Sequence, residues 1–195
     1  CPYDFNQTKI IVREMTDALV LDLVEKKLVT DQLVLDVGYD IENLADPERR
    51  KKYRGEVKAD RYGRVVPKHA HGTANLKKKT SSTSQIMEAV LELYDRIVDE
   101  NLLIRRVYVT ANHALDEQSI SEETEFTQMD LFTDYQAVAE EQEAEQEKRE
   151  KERRLQEAML SVKKKYGKNA MLKGTNLQEG ATMQERNNQI GGHHA

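Results

Sequence analysis

Residues 31–39, DQLVLDVGY, alternate without a break. Leu33, Leu35, Val37 and Tyr39 fall on one side, and Gln32, Val34, Asp36 and Gly38 on the other. A period of two predicts a half-buried strand. A different period governs residues 4–28, where Ile11, Val12, Met15, Leu19, Leu23 and Val24 recur at three- and four-residue steps. That spacing predicts an amphipathic helix, with Asp4 or Asn6 capping its first turn. The clearest helical stripe runs over 84–99: Ile86, Val90, Leu93 and Ile97, widened by Met87 and Tyr94. Ser82 and Gln85 before it have capping-box spacing. Residues 103–111 alternate again, with Leu103, Val107, Val109 and Ala111 expected inward and Arg106, Tyr108 and Thr110 outward. A weaker strand pattern covers 68–77, interrupted by Gly72.

Residues 40–67 show no firm period. They contain ERRKKYRGE and the turn signals Gly55, Gly63 and Pro67, and read as a long basic loop with a short helical turn near 46–52. The order helix, strand, loop, strand, helix, strand predicts an α+β fold. A small antiparallel sheet would carry two helices packed on one face and leave its other face open. Four segments follow from the patterning: a domain over 1–115, an acidic linker over 116–133, a long polar helix over 134–166 and a tail over 167–195. The helix has Leu155, Met159, Val162 and Tyr166 at docking spacing. The tail, rich in Gly, Asn and Gln, is expected to be loosely ordered on its own.

Composition changes this picture mainly through charge. The 195 residues carry a net charge of −5, but the sign is divided along the chain. Residues 48–80 hold 12 Lys/Arg against 3 Asp/Glu, whereas residues 116–152 hold 14 Asp/Glu against 3 Lys/Arg. A basic block favours phosphates and an acidic block repels them, although both also suit a solvated surface. The single cysteine, Cys1, leaves no internal disulfide framework and no cysteine-based zinc site. No apolar run approaches a membrane span, so a soluble, cytoplasmic protein is expected. Residue 1 is Cys rather than Met, which suggests a piece of a longer protein.

Candidate chemistry is non-catalytic. The chain lacks a phosphate-binding GxxxxGK[ST] loop, a nucleophile elbow, an HExxH motif and a cysteine–histidine pair. His69 and His71 lie on one strand face but have no third ligand nearby, so no metal site is assigned. Two stretches remain. Lys77, Lys78, Lys79, Thr80, Ser81 and Ser82 run into a helix N-terminus, where backbone N–H groups and hydroxyls can cradle a phosphate. Arg105, Arg106 and Tyr108 add donors on the last strand. The second stretch is QMDLF at 128–132, an apolar pair in an acidic segment with the form of a docking anchor.

Taken together, these residues resemble the C-terminal part of a Y-family DNA polymerase of the UmuC/DinB (ImpB/MucB/SamB) group. The resemblance rests on PYDF, LVLDLVEKKLVTDQLVLDVGYD, VPKHAHGTANL, TSSTSQI, LLIRRVYVTA and KGTNLQEGATMQERNNQIGGHHA, in that order. It implies that residues 1–115 form the "little finger" domain, which grips template–primer duplex during translesion synthesis in the DNA-damage (SOS) response. The implied DNA contacts are Lys68, His69, Thr73, Lys77, Lys78, Lys79, Thr80, Ser81, Ser82, Arg105, Arg106 and Tyr108. It further implies that Gln128, Met129, Leu131 and Phe132 dock on the bacterial sliding clamp. The Mg²⁺-binding palm carboxylates of such an enzyme have no counterpart in this sequence, so no cofactor is expected here. A protein–protein adaptor, docking through the long helix and the tail, is the alternative.

Overall fold

The computed structural model describes residues 2–60, 62–119, 135–190 and 193–194. Helix α1 (Phe5–Glu25) opens on a complete capping box, in which Asp4 accepts from the Gln7 N–H and the Gln7 side chain accepts from the Asp4 N–H. It ends where Lys27 turns into the left-handed region at φ 55°. Strand β1 (Leu28–Tyr39) follows at once. The chain then makes α2 (Glu42–Ala45), α3 (Pro47–Lys52) and a hairpin of β2 (Val57–Ala59) and β3 (Val65–Pro67). Strand β4 (Ala70–Thr80) leads into α4 (Thr83–Ile97), then β5 (Ile104–Asn112) and the short β6 (Leu115–Asp116). Beyond the linker come α5 (Tyr135–Tyr166), α6 (Met183–Asn187) and a small hairpin of β7 (Gln189–Ile190) and β8 (His193–His194).

The main sheet is antiparallel in the order β4–β1–β5, with β6 continuing beside β1. The alternation in β1 is realised: Leu33, Leu35, Val37 and Tyr39 are buried under α1 and α4. From the helices, Val12, Val20, Ile86, Val90, Leu93 and Tyr94 complete this core. Leu33 and Leu35 are fully buried, and truncation of either to alanine is expected to cost about 2–5 kcal/mol. Gly72 allows the close approach of α4 to β4, because a Cβ there would sit 2.8 Å from a Leu93 methyl. Both helices therefore lie on one face, and no element among the described residues covers the other. No helix among the described residues is long and apolar enough to cross a membrane.

Three expectations need correction. The stretch 40–67 is not one long loop: the helical turn expected near 46–52 is α3, but α2 and the β2–β3 hairpin accompany it. In β5 the inward residue at the start is Ile104, not Leu103, because β1 and β5 change register between Gly38 and Tyr39. Arg105 is the extra residue at that step, and a bulge of this kind turns consecutive side chains outward. Arg105 and Arg106 are accordingly both exposed. Lastly, the tail, expected to be loosely ordered on its own, folds back on α1 through residues 173–186. Glu14, fully buried, accepts hydrogen bonds from Asn176 Nδ2 (3.1 Å), the Thr182 N–H (2.9 Å) and an Arg186 guanidinium nitrogen (3.1 Å). Lys173 pairs with Asp17 at 2.6 Å, and Met183 is buried beside them.

Candidate nucleic-acid interface

Strand pairing aligns the side chains of the uncovered face in rows. Asn75, Gln32 and Asn112 form one row, and Thr73, Val34 and Thr110 the next. His71, Asp36 and Tyr108 form the third. At the far end Gly38 faces Arg106 in the register, and the His69 ring lies against it. The first row is a hydrogen-bonded ladder: Asn112 donates to Gln32 at 3.0 Å, and Gln32 donates to Asn75 at 2.9 Å. In the third, the Asp36 carboxylate lies between two imidazoles, 3.3 Å from His69 Nδ1 and 3.4 Å from His71 Nδ1. Tyr108 stands 56% exposed. The face is polar and rich in hydrogen-bonding groups, and Arg106 adds positive charge at one end.

Of the residues implied as DNA contacts, His69, Thr73, Arg106 and Tyr108 belong to this face. Arg105 flanks it, with its Nε 3.9 Å from Asp40. Lys68 sits beside it, paired with Glu56 at 2.7 Å, and that hydrogen bond raises the Lys68 pKa. Asp36, Gln32, Asn75 and Asn112 were not singled out as contacts. The signal was present, because the alternation of β1 already put Gln32 and Asp36 on the non-core side.

The turn into α4 is arranged differently. Its three lysines do not converge. Lys77 and Lys78 line a recess beside α4 with Glu88, Glu92 and Glu145. Lys79 is half-buried and reaches Asp31 at 3.3 Å. Asp31 also meets His113 Nδ1 at 2.9 Å; this bond, then Lys79, holds its carboxyl below the usual carboxylate range.

Thr80, Ser81 and Ser82 are buried. Helix α5 covers them and fills the anion position from within the chain. One Glu152 oxygen accepts from the Ser84 N–H at 2.8 Å, and the other from the Ser82 hydroxyl at 2.7 Å. Gln156 donates to the Ser81 carbonyl and the Thr83 hydroxyl at 3.0 and 2.9 Å, while Arg153 reaches the Ser81 hydroxyl and Glu117. The expected cradle at Thr80, Ser81 and Ser82 is thus a packed internal joint in this conformation. A carboxylate supplies what a phosphate would.

The docking face of α5 is also offset from its expectation. Gln156 and Met159 are buried, whereas Leu155 and Tyr166 are 58% and 66% exposed. Among the described residues no group of three or more His, Cys, Asp or Glu side chains is placed to hold a metal ion. Gln128, Met129, Leu131 and Phe132 lie outside the described residues. No protein-family model matches the chain, and neither a curated protein nor a solved structure matches it at a significant level.

Proposed function

We propose that this chain is a non-catalytic, duplex-DNA-binding part of a translesion DNA polymerase, acting as its little finger and clamp-docking tail. The observation that carries the reading is the uncovered sheet face, where His69, Thr73, Arg106 and Tyr108 stand together with Arg105 at the rim. Cations, hydroxyls and amides on this face, with the Asp36 carboxylate held between His69 and His71, suit a sugar–phosphate backbone, and contacts of that kind position a duplex without reading its sequence. The resemblance implies a β-α-β-β-α-β plan, and the order α1, β1, β4, α4, β5, with both helices on one face, supports it from the second element onward, its first strand having no counterpart among the described elements. Polymerisation and its Mg²⁺ would belong to palm carboxylates outside this chain.

Duplex binding measured across a salt series tests the reading. Affinity is expected to fall linearly on a log–log plot, with a slope near −0.9 for each phosphate neutralised. Absence of binding at low salt overturns it. Clamp docking through Gln128, Met129, Leu131 and Phe132 is a separate part of the proposal. Its check is capture on a bacterial sliding clamp, which replacing Leu131 and Phe132 with alanine should abolish.

The adaptor reading is weaker, because α5 uses Gln156 and Met159 to pack on its own domain. Leu155 and Tyr166 remain as the surface an external partner would meet. Retention on a DNA resin at moderate salt separates the two readings, since only the first predicts it.

A further inference from the structure

The hairpin within residues 40–67 has features that a simple connection does not need. Strands β2 and β3 pair as Val57 with Pro67, Lys58 with Val66 and Ala59 with Val65. Asp60 fixes the turn between them. Its carboxylate accepts from the Tyr62 and Arg64 N–H groups, each at 2.9 Å, and holds the Arg64 guanidinium at 2.7 Å. Gly63, at φ +77°, supplies the left-handed residue that closes the turn.

The base is fixed as well. Val66 is buried, the Lys68 N–H donates to the Glu56 carbonyl at 2.8 Å, and the Tyr53 hydroxyl donates to the same carbonyl at 2.7 Å. The ribbon is thus held by hydrogen bonds both at its turn and at its base.

Its outer side is unusual for a solvated hairpin. Val57, Val65 and Tyr62 are 42%, 49% and 60% exposed, on an element that also carries Lys58 and Arg64. The Arg64 guanidinium lies 5.2 Å from the Tyr62 ring centre. The two acids of the hairpin, Glu56 and Asp60, are taken up by Lys68 and Arg64. The ribbon rises at the rim of the uncovered sheet face. Arg64 shares a cleft of about 450 Å³ with Arg105 and Arg106, and the acids Asp40, Glu42 and Asp60 line it with them. A hydrogen-bonded, partly apolar ribbon that also carries exposed Lys58 therefore stands beside Arg105 and Arg106 at the rim of the sheet face.

We propose that the β2–β3 ribbon is a groove arm, entering the major groove of a DNA duplex whose backbone rests on the uncovered sheet face. Paired strands lie about 4.8 Å apart, and their side chains widen the ribbon further. The major groove, about 12 Å wide, admits a two-stranded ribbon as it stands, whereas the minor groove, at about 6 Å, takes one only when the duplex is bent or the groove widened. Val57, Val65 and Tyr62 then meet base edges and thymine methyls, while Lys58 meets phosphate. This inference rests on the DNA-binding reading and adds a second, independently testable contact to it.

The experiment is methylation protection of guanine N7, the major-groove atom, on a fixed GC-containing duplex. The full chain is compared with the double variant Lys58→Ala, Tyr62→Ala. Both positions are exposed, so the fold should survive, and a thermal melt of the variant checks that it does. The intact protein is expected to protect a short run of guanines. The variant should lose that protection, bind about tenfold more weakly and show a salt slope shallower by about 0.9.

Equal protection by the variant overturns the groove arm, as does binding by the intact protein that protects no N7. If the intact protein does not bind the duplex at all, the reading of the sheet face falls and the arm falls with it. If an Arg105→Glu, Arg106→Glu variant loses binding while the ribbon variant binds like the intact chain, only the arm is lost.

Discussion

Two regions of this molecule carry the same kinds of residue and use them in opposite ways. On the uncovered sheet face, Arg106, His69, Thr73 and Tyr108 are turned to solvent, with no other element of the described chain packed across them. At the N-terminus of α4, an equally polar run of lysines and hydroxyls is enclosed. There Glu152 occupies the anion position, Gln156 meets the Ser81 carbonyl, and Lys79 is engaged by Asp31. The difference teaches that a helix N-terminus preceded by cations becomes an external anion site only when the chain does not supply its own anion. With 35 Asp and Glu residues available, this chain does.

Reversing charge on the open side should give the largest effect. Arg105→Glu with Arg106→Glu is expected to lower duplex affinity about 100-fold at moderate salt, because each change removes an attraction and installs a repulsion. Fluorescence anisotropy with a labelled duplex measures it. A change under threefold would remove the contrast between the two regions.

The covered side should respond in stability instead. Gln156→Leu leaves the buried Ser81 carbonyl without its side-chain donor, and is expected to cost about 1–3 kcal/mol in urea unfolding. Glu152→Ala removes the acceptor of the Ser84 N–H and should cost about 1–2 kcal/mol. If Glu152→Ala also raises duplex affinity, the enclosed turn is a competitor for DNA rather than a joint, and the comparison has to be redrawn. Replacing Lys77 and Lys78 with alanine should lower the salt slope by less than 2, and adding Lys79→Ala should change it little further, since Lys79 already faces Asp31.

The smallest effect concerns pH. The folded-state pKa of Asp31 is depressed, chiefly by His113 and then by Lys79, so the carboxylate contributes stability above its unfolded pKa. That contribution is lost as pH falls through the folded value. Asp31→Asn should flatten the acid limb of a stability–pH curve slightly, as followed by thermal melts between about pH 5 and pH 2.

The core was legible in the chain because its signals are long and regular. Nine residues of clean alternation define β1, and a four-residue stripe with a Ser82 cap defines α4. The ribbon was not legible, because β2 and β3 are three residues each, too short for a period of two to stand out. The outward cations of β5 were only half visible. Alternation put Arg106 outside, but the bulge that also turns Arg105 outward depends on its pairing with β1.

The docking face of α5 was misplaced because one of its buried residues is Gln156, a polar side chain that a hydrophobic stripe ignores. The return of the tail left no local trace. Glu14 looks like an ordinary helical acid, and its partners stand 162 to 172 residues further along the chain.

That separation has a consequence for the order of events when the chain folds. The contacts of α1 with β1, and of β4 with α4, close short loops and can form early. The Glu14 cluster joins the first helix to the last, so nearly the whole chain must be in place before it forms. Contacts of such high sequence separation carry the largest loop-closure cost and tend to be absent from a folding transition state. Weakening the cluster, for instance by Arg186→Ala, should therefore leave the refolding rate almost unchanged and accelerate unfolding. Glu14 thus acts as a latch on lifetime, governing how long the assembled molecule persists rather than how quickly it is made.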